Sequence, residues 1–165
     1  MLKKRTLILL LTLLAVCLLV SGVYMIANRT AMRQPTQQEI EACAPYTVDW
    51  QAATGLEETD KAIILSLCTY REEQTIGANL YQVYDSDTLG NHLYNFREMT
   101  QIAVLGETLY LQYTTNDGIM ITLAYDDAGM TEKVVYDPET DTCYYEYADS
   151  FEVWTKFRNG FKLGA

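Results

Sequence analysis

The sequence predicts an α+β protein that is mainly antiparallel β. An N-terminal transmembrane helix and one or two short helices come first, then a meander of about six to eight strands that forms a sheet or small barrel. Three observations carry this expectation. Residues 6–27 are an uncharged, largely apolar run behind a basic cluster. Two helix-capping patterns, "TQQE" (36–39) and "TGLE" (54–57), lie in the segment that follows it. From about residue 79 onward, short runs of β-branched and aromatic residues alternate with period two between turn-formers.

The N-terminal run "TLILLLTLLAVCLLVSGVYMIA" (6–27) follows Lys3, Lys4 and Arg5. A helix rises about 1.5 Å per residue, so roughly 20 apolar residues cross a hydrocarbon core about 30 Å thick. The basic cluster stays cytoplasmic, which sends everything after Ala27 outward. A cleaved secretory signal is the competing reading, with "VSG" (20–22) as its processing site. The apolar run continues past that point through Val23, Tyr24, Met25 and Ile26. "LVSG" also resembles the lead-in to a lipoprotein box, but Val23 stands where the lipidated cysteine belongs, and Cys17 follows the bulky Val16. The expectation is therefore a single-pass anchor over 1–27 in a bacterial cell membrane, with the lipid bilayer as partner through residues 6–27. Residues 28–36 then form a juxtamembrane linker and 37–165 an extracytoplasmic domain, secreted if the N-terminus is cleaved.

"TQQE" (36–39) opens a helix, because Thr36 can accept from a free N–H while Glu39 reaches back to the cap residue. Pro45 stops that helix soon after. "TGLE" (54–57) repeats the pattern ahead of "ETDKAIILSLCTYREE", where Ile64, Leu67, Cys68 and Arg71 fall at helical spacing. "AIILSLCTY" (62–70) is apolar enough to be a buried strand instead.

The strand-length runs are "LYQVYD", "HLYNF", "TQIAVL", "TLYLQYT", "IMITLAY", "TEKVVY", "CYYEY" and "FEVWTKF". Around "NDG" (116–118), a three-residue loop with left-handed Gly118 pairs Tyr113 with Ile121, Leu111 with Leu123 and Leu109 with Tyr125. Every one of these pairs is apolar. The same criterion applied to "ADS" (148–150) pairs Tyr147 with Phe151, Tyr145 with Val153 and Cys143 with Thr155 on the core side. Tyr144 then faces Trp154 on the other side.

All 22 acidic residues and nine of the 12 basic ones follow Ala27, leaving that part of the chain at −13. A surface so acidic excludes nucleic acid as a partner. Cys17 lies in the apolar run, and Cys43, Cys68 and Cys143 follow it. An odd number allows one bridge at most, with Cys43–Cys68 as the natural pair, or three buried free thiols.

Few catalytic templates fit. A single histidine excludes His-rich zinc sites, and there is no Cys-x-x-Cys, phosphate-binding glycine loop or nucleophile elbow. "DPETD" (137–141) and "DSDTLG" (85–90) space their acids as calcium loops do, but each lacks later ligands and reads as a hydrated turn. No cofactor or metal is expected. One constellation remains: "LGNH" ending at His92, "TDTC" ending at Cys143, and Arg158 beyond it. In order and approximate spacing this is similar to the sortases, membrane-held β-domain transpeptidases. The resemblance implies a Cys143 thiolate attacking a carbonyl, His92 handling the proton and Arg158 steadying the oxyanion. The approach to Cys143 is a polar turn, and Asp137, Glu139, Asp141 and Glu146 surround it in sequence, which disfavours a thiolate.

Tyrosine gives the binding hint, with 13 against 4 phenylalanines. In the expected register Tyr144 and Trp154 stack away from the core, where they would receive an envelope protein or a glycan. The favoured function is a non-catalytic, membrane-anchored extracytoplasmic module for binding or envelope assembly, with the sortase-like transpeptidase as the alternative.

Overall fold

A computed structural model describes residues 4–27 and 31–155 of the chain. The helices are α1 (Lys4–Ala27), α2 (Gln37–Cys43), α3 (Trp50–Thr54), α4 (Lys61–Ser66) and α5 (Asp87–Gly90). The strands are β1 (Ala31–Arg33), β2 (Thr69–Ile76), β3 (Asn79–Asp85), β4 (Phe96–Leu105), β5 (Thr108–Thr115), β6 (Met120–Asp126), β7 (Gly129–Asp137), β8 (Thr142–Tyr147) and β9 (Phe151–Thr155). They form one antiparallel sheet in the order β1-β9-β8-β7-β6-β5-β4-β3-β2. It is a meander from β2 to β9, with the first strand carried to the far edge.

The central hairpin has the register its sequence predicts. Leu109 pairs with Tyr125, Leu111 with Leu123 and Tyr113 with Ile121. Gly118 makes the turn at φ +84°, a conformation that disfavours any residue with a Cβ. These six residues are at most 1% exposed and anchor the main core. Ile102, Val104 and Val135 extend it along the same face of the sheet. The short helices and their loops cover that face with Cys43, Val48, Trp50, Ile64, Leu89 and Leu93.

The opposite face is buried in a different way. Around Ala103 it packs Tyr81, Val83 and Tyr110, and around Cys143 it packs Val134, Tyr136, Tyr145 and Trp154. Small residues are thus sheltered between aromatic ones. Between the two clusters Gln112 donates to the Thr122 hydroxyl across the buried centre of the sheet at 3.1 Å. The many tyrosines have this packing role, which also raises several of their hydroxyl pKa values through burial.

The Thr36–Glu39 capping box is present, and α2 ends two residues before Pro45. Other expectations need correction. The helix predicted to start from Thr54 starts later: Thr54 is the last residue of α3, Gly55 its left-handed cap, and Asp60 caps α4. That helix stops at Ser66, and Arg71 belongs to strand β2, because pairing with β3 outweighs local helical spacing. The charged residues Arg71, Glu72 and Glu73 lie on this edge strand and discourage further pairing. "HLYNF" (92–96) is mostly loop, touching Val48 by one bridge at Leu93. Part of the expected linker is strand β1, whose Arg33 pairs with Val153. Among the described residues the meander β2–β9 has eight strands, within the expected six to eight, and β1 adds a ninth at the β9 edge of the sheet.

The hairpin between β8 and β9 also differs. Tyr147 N–H donates to Ser150 O at 2.9 Å, closing a two-residue turn. Cys143 pairs with Trp154 and Tyr144 with Val153, one residue off the expected register. Matching apolar residues discriminates registers only where one face is wet. Here both faces are buried, and the observed register sets Tyr145 opposite Glu152 and Phe151 opposite Glu146, pairs that apolar matching disfavours. The Trp154 indole and Lys133 satisfy those two carboxylates.

Helix α1 is continuous for 24 residues, and most of its described side chains at 10–23 are exposed. Among the described residues no helix is long and apolar enough to cross a membrane. The stretch with described side chains is shorter than the roughly 20 residues that a hydrocarbon core requires. The described residues therefore do not establish the span expected over 6–27.

Candidate functional site

The residues of the transpeptidase reading are not brought together. Cys143 is wholly buried on the face opposite the helices, among Val134, Tyr145 and Trp154. His92 sits on the helix side, in the loop where its carbonyl accepts from Asp49 N–H at 2.8 Å. The sheet separates thiol from imidazole. Arg158 lies outside the described residues. Cys43 and Cys68 are free thiols, so the bridge expected between them is not formed. Burial pushes the first up to about 12 and the second up to about 11. Neither is a thiolate near neutrality.

The shift in register also separates Tyr144 from Trp154. Trp154 packs beside Cys143 and donates its indole N–H to Glu152 at 3.0 Å. Tyr144 is on the helix side, with its ring 6.4 Å from that of Phe151. They form no common platform. Instead Tyr144 lines a small cavity of about 180 Å³ with Glu39, Cys43, Tyr46, Val135 and Asp137. At its edge the Arg33 guanidinium holds Glu39, joining β1 to α2.

That pair gives a pH signature. Glu39 is held at about 2, against an ordinary 4.5, first by the Arg33 hydrogen bond and then by the Thr36 backbone and hydroxyl. A depressed carboxylate stabilises the fold above its unfolded value, and this is lost as pH falls through the folded one. Urea unfolding of the full chain in detergent should therefore show a loss between about pH 4.5 and 2 that shrinks in Arg33→Ala. The change is modest, because the Arg33 side chain is 42% exposed and screened by water. Identical pH profiles in the two proteins would refute the assignment.

The two acidic turns have local uses. Asp137 accepts from the backbone N–H groups of Glu139 and Thr140 and from the Thr140 hydroxyl. Ser86 caps α5, making "DSDTLG" a helical turn. Among the described residues no three His, Cys, Asp or Glu side chains are grouped to hold a metal ion.

A more developed site lies where α3 meets the β6–β7 turn. Asp49 caps α3 by accepting from Ala52 N–H at 2.9 Å, and the left-handed Gly55 ends it, which fixes Trp50 over the sheet. The Trp50 indole N–H donates to the Tyr125 hydroxyl at 3.3 Å, and the rings meet edge to face at 5.7 Å. Burial pushes the Tyr125 phenol up to about 12, partly offset by the Trp50 bond, so it remains neutral at physiological pH. Beside this pair is a cavity of about 360 Å³, lined also by Glu57, Glu58, Thr59 and Met130. A larger one, about 480 Å³, is lined by Arg71 and Asp85, which already satisfy each other in an ion pair at 3.0 Å. The Trp50 site was not singled out from sequence. Its signal is the spacing of Asp49 and Gly55 around "WQAAT", which marks a one-turn helix headed by tryptophan.

The chain matches no protein-family model, no curated protein and no solved structure.

Proposed function

We propose that this chain is a membrane-anchored extracytoplasmic module for binding or envelope assembly, held by residues 6–27 with its N-terminus in the cytoplasm. The observation that carries the reading is the link between α1 and the sheet. Three residues separate the end of α1 from β1, and β1 is fixed to β9 by a three-residue register. An anchored helix would thus hold the sheet close to the bilayer rather than on a long tether. The charge distribution supports the same reading, with a basic cluster before the apolar run and a net −13 after it. The buried Cys143 and its separation from His92 favour binding over transpeptidation.

The test is fractionation of cells expressing the full chain. The protein should remain with membranes through alkaline carbonate, dissolve in detergent and be digested by protease added outside spheroplasts. Recovery of the full-length chain in the soluble cytosolic fraction would overturn the reading. Release of a shortened chain cut near 20–22 would replace the anchor with a cleaved signal.

A further inference from the structure

We propose that the cavity beside Trp50 and Tyr125 binds an aliphatic primary ammonium group, as carried by a lysine side chain or a free diamine. The site deepens the binding reading above, but it does not depend on the anchor. Its walls divide by chemistry. Trp50, Tyr125 and the 43%-exposed Met130 supply an apolar surface suited to a methylene stem. Glu57 and Glu58 are exposed at the same cavity, and neither forms an ion pair among the described residues. The neighbouring cation, Lys61, is already held by Asp127 at 3.2 Å and the Glu107 carbonyl at 2.9 Å.

Thr59 is the independent observation. It lines the cavity and is 6% exposed, yet its hydroxyl has no hydrogen-bond partner among the described residues. Buried polar atoms are nearly always satisfied, so an orphan hydroxyl on a cavity wall points to a group that it bonds when the cavity is filled. An ammonium has three donors, which Thr59 and the two carboxylates can accept together. Gly129 keeps the turn close: its φ of +127° disfavours a side chain, and a Cβ there would sit 3.7 Å from the Thr59 carbonyl. A bare divalent cation fits less well, because hard cations take six or more oxygen ligands and the aromatic wall supplies few. An anion would meet two carboxylates in a domain of strongly negative charge.

The experiment follows Trp50 fluorescence in the full chain in nonionic detergent. The second tryptophan is removed by Trp154→Phe so that Trp50 alone reports. The probes are 1,5-diaminopentane, Nα-acetyl-lysine methylamide and, as the uncharged control, 1-pentanol. Both amines should give a saturable change that weakens with salt. A tighter lysine amide identifies a polypeptide as the source, and a tighter diamine identifies a free ligand. Glu57→Gln with Glu58→Gln should weaken amine binding about tenfold or more. Thr59→Val should weaken it roughly tenfold while leaving the urea midpoint unchanged or higher, since no bond within the domain is lost. Three results would overturn the proposal: equal response to 1-pentanol, no saturation by about 50 mM amine, or full affinity in the double glutamine variant. None of these touches the membrane assignment, which fractionation tests separately.

Discussion

Glu146→Ala is expected to destabilise the domain by about 3 kcal/mol, although Glu146 is itself 39% exposed. The reason is its partner. Lys133 lies on the helix-covered face opposite Leu123, with a side chain only 5% exposed and its ammonium 2.5 Å from the Glu146 carboxylate. Removing the carboxylate leaves a buried cation alone, which is far worse than never having buried one. The lower end of the usual range applies, because water near Glu146 can reach part of the vacated space. Lys133→Met should behave differently. It keeps the apolar stem against the core and leaves a carboxylate that water can solvate, so the loss stays within about 1 kcal/mol. Urea midpoints of the two single variants and the double give the coupling directly. Should Glu146→Ala fall within about 0.5 kcal/mol of wild type, the Lys133 ammonium has another partner and the buried-charge account fails.

What the sequence made legible follows from how many independent constraints each element carries. The β5–β6 hairpin was readable because a turn glycine and three apolar pairs agree on one register. The α2 cap was readable because Thr36 and Glu39 serve each other within four residues. β1 was not, since "AMR" (31–33) has no periodicity of its own and is a strand only through its pairing with β9. The end of α4 was missed for a related reason: the local spacing of Leu67, Cys68 and Arg71 suits a helix, and only the distant β3 makes Thr69–Ile76 a strand. Tyr144 and Trp154 share a face only in the register that apolar matching favours. The observed one tolerates Glu152 and Glu146 opposite Tyr145 and Phe151 because Trp154 and Lys133 hold those carboxylates, which no pairwise match within the hairpin reveals. The Trp50 site depends on residues 50, 57–59 and 125–130 meeting across the fold, which no local pattern encodes. Only its local capping residues were visible.

Leu111→Ala is expected to be the most damaging of the simple truncations, at about 3–5 kcal/mol. Leu111 is 0% exposed, sits opposite Leu123 on β6 and Ile102 on β4, and therefore has neighbours on both sides that are equally buried. A sheet held in a fixed hydrogen-bond register cannot collapse into the space left behind, so the cavity persists and its full penalty applies. Leu56, 45% exposed in the loop after α3, should change stability by less than about 0.5 kcal/mol on the same substitution. The comparison also bears on the cavity beside Trp50. Its floor residue Tyr125 belongs to the same row of side chains, opposite Leu109 and two positions from Leu123. If the site is preformed by that row, Leu111→Ala lowers the urea midpoint at an unchanged slope, yet amine affinity measured well below the midpoint stays at the parent value. An affinity that falls along with stability would mean that the space left at Leu111 propagates along β6 to Tyr125 and the site is not held rigidly by the register. A loss of stability below about 1 kcal/mol would mean that the β4–β5–β6 row is not the core's main support.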